Sequence, residues 1–239
     1  MSRLRLGLGV FLTVGLAAGC ARPDEPFAST RANLKIAAAE QRLKAEEYDA
    51  ALAEFQAAIE LNPRLAVAHS RIGYIERLRG NLDAAAHAYG EALKLNPGSF
   101  DDAFSLAQVY HHLLRLADAI RAYLHACDLN PGDFQARLNL GVCYQQSNDP
   151  ARAIDCYMQA IRLDPRSPAP HTNLGAVYDA QGHYYEAIHA YNESLERDSR
   201  QPLVLVNLAM TLIKQERYPN AQRALARALE LDPRLALAH

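Results

Sequence analysis

The chain has 239 residues, half of them apolar, with no Trp and a formal net charge of −2. A weakly acidic chain without a basic run does not suit a nucleic-acid partner. The apolar share is dominated by Ala and Leu, which have the best helix propensities, so the composition predicts helix throughout.

The first nineteen residues differ in kind from the rest. Arg3 and Arg5 form a short positive stretch, and Leu6 to Ala18 is apolar apart from Gly and one Thr. Small residues follow at Ala18-Gly19. This is the layout of a secretory signal peptide over residues 1–19. An apolar run of about 13 residues is too short for a bilayer core that needs roughly 20. Leu16-Ala17-Ala18-Gly19-Cys20 resembles a bacterial lipobox, with Leu four residues before the Cys instead of the usual three. The resemblance implies acylation of Cys20 and a lipid-anchored, exported protein. With Ala21 next, the family's sorting rule implies the outer membrane, facing the periplasm. Stable anchoring by acyl chains takes more than one, as that modification supplies. Residues 20–31 read as the lipidated Cys and a tether. Arg22 to Ser29 holds Pro23 and Pro26 and reads as non-helical, with Ser29 or Thr30 as the N-cap of the first helix.

From residue 32 onward the chain follows one ruler. Pro63, Pro97, Pro131 and Pro165 fall at intervals of 34 residues, Ser199 takes the next slot and Pro233 the one after. Each of these slots follows an Asn or Asp. Within each unit a small residue recurs (Ala51, Ala85, Ala119, Ala153, Ala187, Ala221), then a large one (Phe55, Tyr89, Tyr123, Tyr157, Tyr191, Leu225). A second small residue follows at Ala58, Ala92, Ala126, Ala160, Ser194 and Ala228. A fixed period of this length is one helix–turn–helix unit, and the small residues let two helices approach while the ring fills the gap. The units are 32–65, 66–99, 100–133, 134–167, 168–201 and 202–235. Gly80, Asn148 and Gly182 mark turns within units. The fold class is all-α, a solenoid of about six such repeats.

The spacing resembles that of the tetratricopeptide repeat family over nearly the whole mature chain. The departures are Ala38-Ala39 where Leu-Gly is usual in the first unit, and Arg197 and Ser199 in the fifth. The resemblance implies a right-handed superhelix whose first helices line a concave groove that binds extended peptides. Slot by slot, the lining is Ser70, Arg71, Tyr74 and Arg77 in the second unit, and Phe104, Ser105, Gln108 and His111 in the third. In the fourth it is Leu138, Asn139, Val142 and Gln145. Thr172, Asn173 and Ala176 follow in the fifth, and Asn207 and Met210 in the sixth. Asn139, Asn173 and Asn207 share one slot. A side-chain amide both donates and accepts, so such a row suits the backbone of an extended peptide of any sequence. It resembles the asparagine ladder of O-linked N-acetylglucosamine transferases. The Lys pattern of carboxylate-clamp relatives is absent from the corresponding slots.

No cofactor motif, metal-ligand spacing or catalytic constellation is present, so the chain reads as a non-catalytic scaffold. Its partner is a protein or peptide of unstated identity, and its tether is a membrane lipid anchor. The architecture resembles bacterial lipoproteins that assist pilus or secretin assembly or recruit cell-wall enzymes. Cys127, Cys143 and Cys156 read as small buried residues, with a Cys143–Cys156 bridge as the alternative in an exported protein. Residues 236–239 read as the start of a further helix, because Arg234 to His239 nearly repeats Arg64 to His69. Two rival readings go with that end: the substrate-binding arm of a larger enzyme, such as an O-linked glycosyltransferase or a peptidase, and self-association through an uncapped C-terminal face.

Overall fold

A computed structural model describes residues 25–235. The expected signal peptide, Cys20 and residues 236–239 lie outside the described residues. Twelve α-helices and no strand make up the described chain: α1 (Glu25–Lys44), α2 (Tyr48–Leu61), α3 (Ala66–Leu78), α4 (Leu82–Leu95), α5 (Phe100–His112), α6 (Leu116–Leu129), α7 (Phe134–Gln146), α8 (Pro150–Leu163), α9 (Ala169–Ala180), α10 (Tyr184–Arg197), α11 (Pro202–Lys214) and α12 (Tyr218–Leu231). Each odd helix packs against the even helix that follows, and each even helix against the next odd one. The result is a stack of six helical hairpins, an all-α solenoid.

Helix α1 corrects the expected tether. It begins at Glu25, ahead of Ser29 and Thr30, which lie inside it and are not its N-cap. Pro26 is its second residue, where the backbone N–H has no partner within a helix, so proline costs nothing there.

The turn inside each hairpin follows a rule only partly visible in the sequence. Glu46, Gly80, Leu114, Asn148, Gly182 and Glu216 all have positive φ, between 56° and 79°. Beside each runs the long closing bond of a left-handed helix terminus, as from Asn81 N to Glu76 O at 2.9 Å and from Arg115 N to Tyr110 O at 2.9 Å. Gly and Asn suit that conformation; Glu46, Leu114 and Glu216 adopt it against their Cβ.

The turn between hairpins explains the Asn or Asp before each proline slot. Oδ1 of Asn62, Asn130, Asp164, Asp198 and Asp232 each accepts a backbone N–H two residues on, at 2.9–3.2 Å. The carboxamide or carboxylate thus holds the turn that sends the chain into the next hairpin.

The small and large slots form the core. Ala51, Ala85, Ala119, Ala153, Ala187 and Ala221 are all buried, as are Phe55, Tyr89, Tyr123, Tyr157 and Tyr191. The rings of Tyr89, Tyr157 and Tyr191 lie directly against Gly73, Gly141 and Gly175 of their own hairpins. The fifth hairpin departs from the pattern in a concerted way. Ser194, in an alanine slot, is fully buried and its hydroxyl pairs with Thr172 Oγ1 at 2.7 Å and Gln201 Nε2 at 3.0 Å. Arg197, in a leucine slot, donates to the Pro165 carbonyl at 2.9 Å and to Glu193 at 2.8 Å. Polar pairing replaces apolar packing at this junction.

Candidate functional site

The first helices of neighbouring hairpins pack on one another, α7 on α9 and α9 on α11. They therefore form the inner wall of the solenoid, and the even helices lie outside. Asn139, Asn173 and Asn207 occupy the same register on these three helices. Asn139 and Asn173 are half-buried and Asn207 is exposed. Oδ1 of Asn139 accepts from Gln135 Nε2 at 2.9 Å, one turn earlier, which fixes its carboxamide.

The other expected lining residues divide by what they already touch. Arg71 is exposed, and its Nε donates to Glu40 of α1 at 2.6 Å. Arg77 lies over the Tyr74 ring at 5.7 Å, and Arg77 and Ser105 lie near the Tyr89 hydroxyl. Burial pushes the Tyr89 phenol up, and Arg77 and Ser105 act against it. Phe104 belongs largely to the packing: it stacks on Phe100 at 5.7 Å and meets the edge of Tyr123 at 5.9 Å. Gln108 is half-buried. Nε2 of His111 lies 2.9 Å from Oε1 of Gln146 on α7, and Gln145 Oε1 accepts from the Tyr157 hydroxyl at 2.7 Å. Leu138, expected on the lining, is instead a core residue, because a leucine at that slot turns into the apolar interface.

Three polar contacts along this wall went unread in the sequence. Ser70 Oγ donates to Asp102 at 2.5 Å, and Asp102 is buried. Asp179 accepts from Thr211 at 2.9 Å and from Lys214 Nζ at 2.5 Å. Lys214 also lies 5.5 Å from the Tyr184 ring centroid. Such pairs join residues of adjacent hairpins, separated by 31, 32 or 35 positions. A comparison of each residue with the ones about a repeat away would have exposed them.

The three cysteines in the array are buried and unbridged, so the alternative of a Cys143–Cys156 disulfide is not what the structure holds. Burial pushes the Cys143 thiol up to about 12 and the Cys156 thiol up to about 11. Among the described residues no cluster of three or more His, Cys, Asp or Glu is placed to hold a metal ion, and no helix is long and apolar enough to cross a membrane.

The family model of the cilia and flagella-associated protein 70 C-terminal domain, a tetratricopeptide repeat domain, matches residues 15–239. The chain belongs to that family. The cilium in its name is said of that relative; what the two share is the array. A comparison with the curated proteins finds no match. Among solved structures, this tetratricopeptide array is similar to MamA, with 24% identity over 72% of this chain and 93% of that one and a TM-score of 0.67. It is similar to YrrB, described as a tetratricopeptide protein with an unusual peptide-binding site, with 20% identity over 77% and 95% and a TM-score of 0.66. It is also similar to PilW, described as a widely conserved type IV pilus biogenesis factor, with 18% identity over 87% and 96% and a TM-score of 0.67. These likenesses establish the same solenoid.

Proposed function

We propose that this tetratricopeptide array is a non-catalytic scaffold that binds an extended segment of a partner protein along its inner wall. The observation that carries the reading is the register of Asn139, Asn173 and Asn207 on three helices that pack side by side. Their amides offer donors and acceptors to a peptide backbone, while Tyr74, Gln108, Val142 and Met210 offer side-chain contacts beside them. Arg77 adds a positive charge to the N-terminal half of the wall, where Arg71 is already paired with Glu40, and this suits a polar stretch of the same peptide.

The finer reading is that Cys20 is acylated and tethers the array to the outer membrane on its periplasmic side. There it recruits a client for envelope assembly, such as pilus or secretin biogenesis or the placing of a cell-wall enzyme. The lipobox-like run supports the tether, and the likeness to a pilus biogenesis factor supports the process. Tethering raises the local concentration of array and client, so weak contacts along the wall suffice.

The test is capture of partners from detergent-solubilised envelopes by the lipidated full chain and by a variant carrying Asn139→Ala, Asn173→Ala and Asn207→Ala. A set of partners lost only with the variant establishes inner-wall binding; identical partners with both exclude it. Cys20→Ser is expected to move the protein from the membrane to the soluble fraction, and persistence at the membrane would remove the tether from the proposal.

A further inference from the structure

The outer helices carry a furrow apart from the shared Asn register of the inner wall. Helices α8 and α10 flank a furrow of about 690 Å³ whose floor is α9. Its walls are apolar: Met158 and Ile161 from α8, Leu174 and Tyr178 from α9, and Tyr185 from α10. Met158 and Tyr185 are 47% and 77% exposed, large side chains left facing solvent. A volume of this size lies in the range of sites that take up an organic group.

Into this furrow faces His171. It is only 7% exposed, and its Nε2 is buried with no hydrogen-bond partner. A buried polar atom left unpaired is unfavourable, so a partner that pairs with it gains affinity. The histidine is not a demand of the repeat. The next furrow, 34 residues on, has the same build, with Leu205 in the place of His171 and Leu208 in that of Leu174. There Arg223 and Arg227 stand where the first furrow has His189 and Glu193. The two furrows share a floor plan and differ in chemistry.

The rim of the first furrow is acidic. Glu186 is exposed and forms no ion pair among the described residues. Glu193 is shared between Arg197 at 2.8 Å and His189 at 3.9 Å. A carboxylate or phosphate ligand is disfavoured beside these groups, and a cation is favoured.

We propose that this furrow docks a tyrosine side chain of a partner polypeptide, the His171 imidazole shifting so that its Nε2, covered in the free protein, pairs with the phenol hydroxyl, and a basic neighbour in the partner meeting Glu186. The ring supplies an apolar body for the walls and a polar head for the floor. A phenol hydroxyl both donates and accepts, so it serves either tautomer of the imidazole. The site is independent of the inner wall, so failure of one leaves the other standing.

The experiment uses the full chain and two probe peptides, acetyl-Ala-Lys-Tyr-Ala-amide and its Phe counterpart, titrated by NMR. The Tyr peptide is expected to bind about tenfold tighter, the factor of one net hydrogen bond to a buried group. Amide shifts are expected at Tyr185, His189 and Ala190. His171→Leu, which copies Leu205, is expected to equalise the two peptides. Glu186→Gln, an exposed change that leaves the packing untouched, is expected to weaken the Tyr peptide about threefold at low salt, an effect that fades as salt screens the pair. Equal affinities for wild type, a Tyr preference that survives in His171→Leu, shifts confined to Asn139 and Asn207, or binding of neither peptide would each overturn the proposal.

Discussion

The ring of Tyr191 rests on the backbone of Gly175: a Cβ placed on that glycine would lie 2.5 Å from Cε1 of the ring. Tyr157 stands in the same relation to Gly141, at 2.6 Å. In these two hairpins the ring sits this close because the first helix is bare where the two cross. Gly175→Ala is expected to destabilise the array by about 1–3 kcal/mol through overpacking, read from urea denaturation. The third hairpin carries Ala107 in that place with Tyr123 in the large slot, both fully buried, so a methyl group is accommodated there. An unchanged midpoint for Gly175→Ala would show that the fifth crossing opens as easily.

Gly90 lies inside α4, and a Cβ placed on it would meet nothing within 4 Å. Here the same substitution has the opposite sign. Gly90→Ala is expected to raise stability by about 0.5–1 kcal/mol, the helix-propensity difference. A loss of stability in the thermal melt would contradict the open surroundings of that position.

Leu114 closes the third hairpin at φ 56° with its side chain 75% exposed. A leucine in this region bears a steric cost that Asn tolerates, and Asn148 holds the equivalent turn one repeat on. Leu114→Asn is expected to stabilise by about 0.5–1 kcal/mol. A lower melting temperature would mean that Leu114 contributes apolar contact worth more than the strain.

His171 predicts a sensitivity to mild acid. Burial pushes its imidazole below the ordinary range; Arg197 and His189 act in the same direction, and Glu193 opposes them. In the window below about pH 6.5 the unfolded chain binds the proton more readily than the folded one. Stability therefore falls as the pH drops through that window. The melting temperature of wild type is expected to fall further between pH 7.5 and 5.5 than that of His171→Leu. Equal falls would place the sensitivity elsewhere among the histidines.

The array cysteines predict silence. Burial raises the thiols of Cys127, Cys143 and Cys156, so little thiolate forms near neutral pH. In a Cys20→Ser background, the native protein is expected to show no fast-reacting thiol toward a disulfide reagent and three after unfolding in urea. A fast native thiol would mark a local opening of α6, α7 or α8.

The period, the hairpin count and the identity of the core are legible in the amino-acid sequence alone. Those follow from local chemistry repeated 34 residues apart: the Asn or Asp that ties each inter-hairpin turn, the alanines that admit close approach and the ring that fills the remaining gap. The shared slot of Asn139, Asn173 and Asn207 is legible too, since register along one helix is enough to find it. Reading prolines as barriers misplaced the start of α1, because Pro26 is tolerated in a first turn. Reading turns by composition found Gly80, Asn148 and Gly182 but passed over Glu46, Leu114 and Glu216, which the two packed helices hold at positive φ against local preference. Which lining residues are already engaged, as Arg71 is by Glu40 and His111 by Gln146, is settled by packing in three dimensions, since such partners sit on neighbouring hairpins. The furrow over His171 likewise belongs to the assembled array. A histidine in a helix carries no mark of its burial, and whether its nitrogen finds a partner depends on what three separate helices bring to one place.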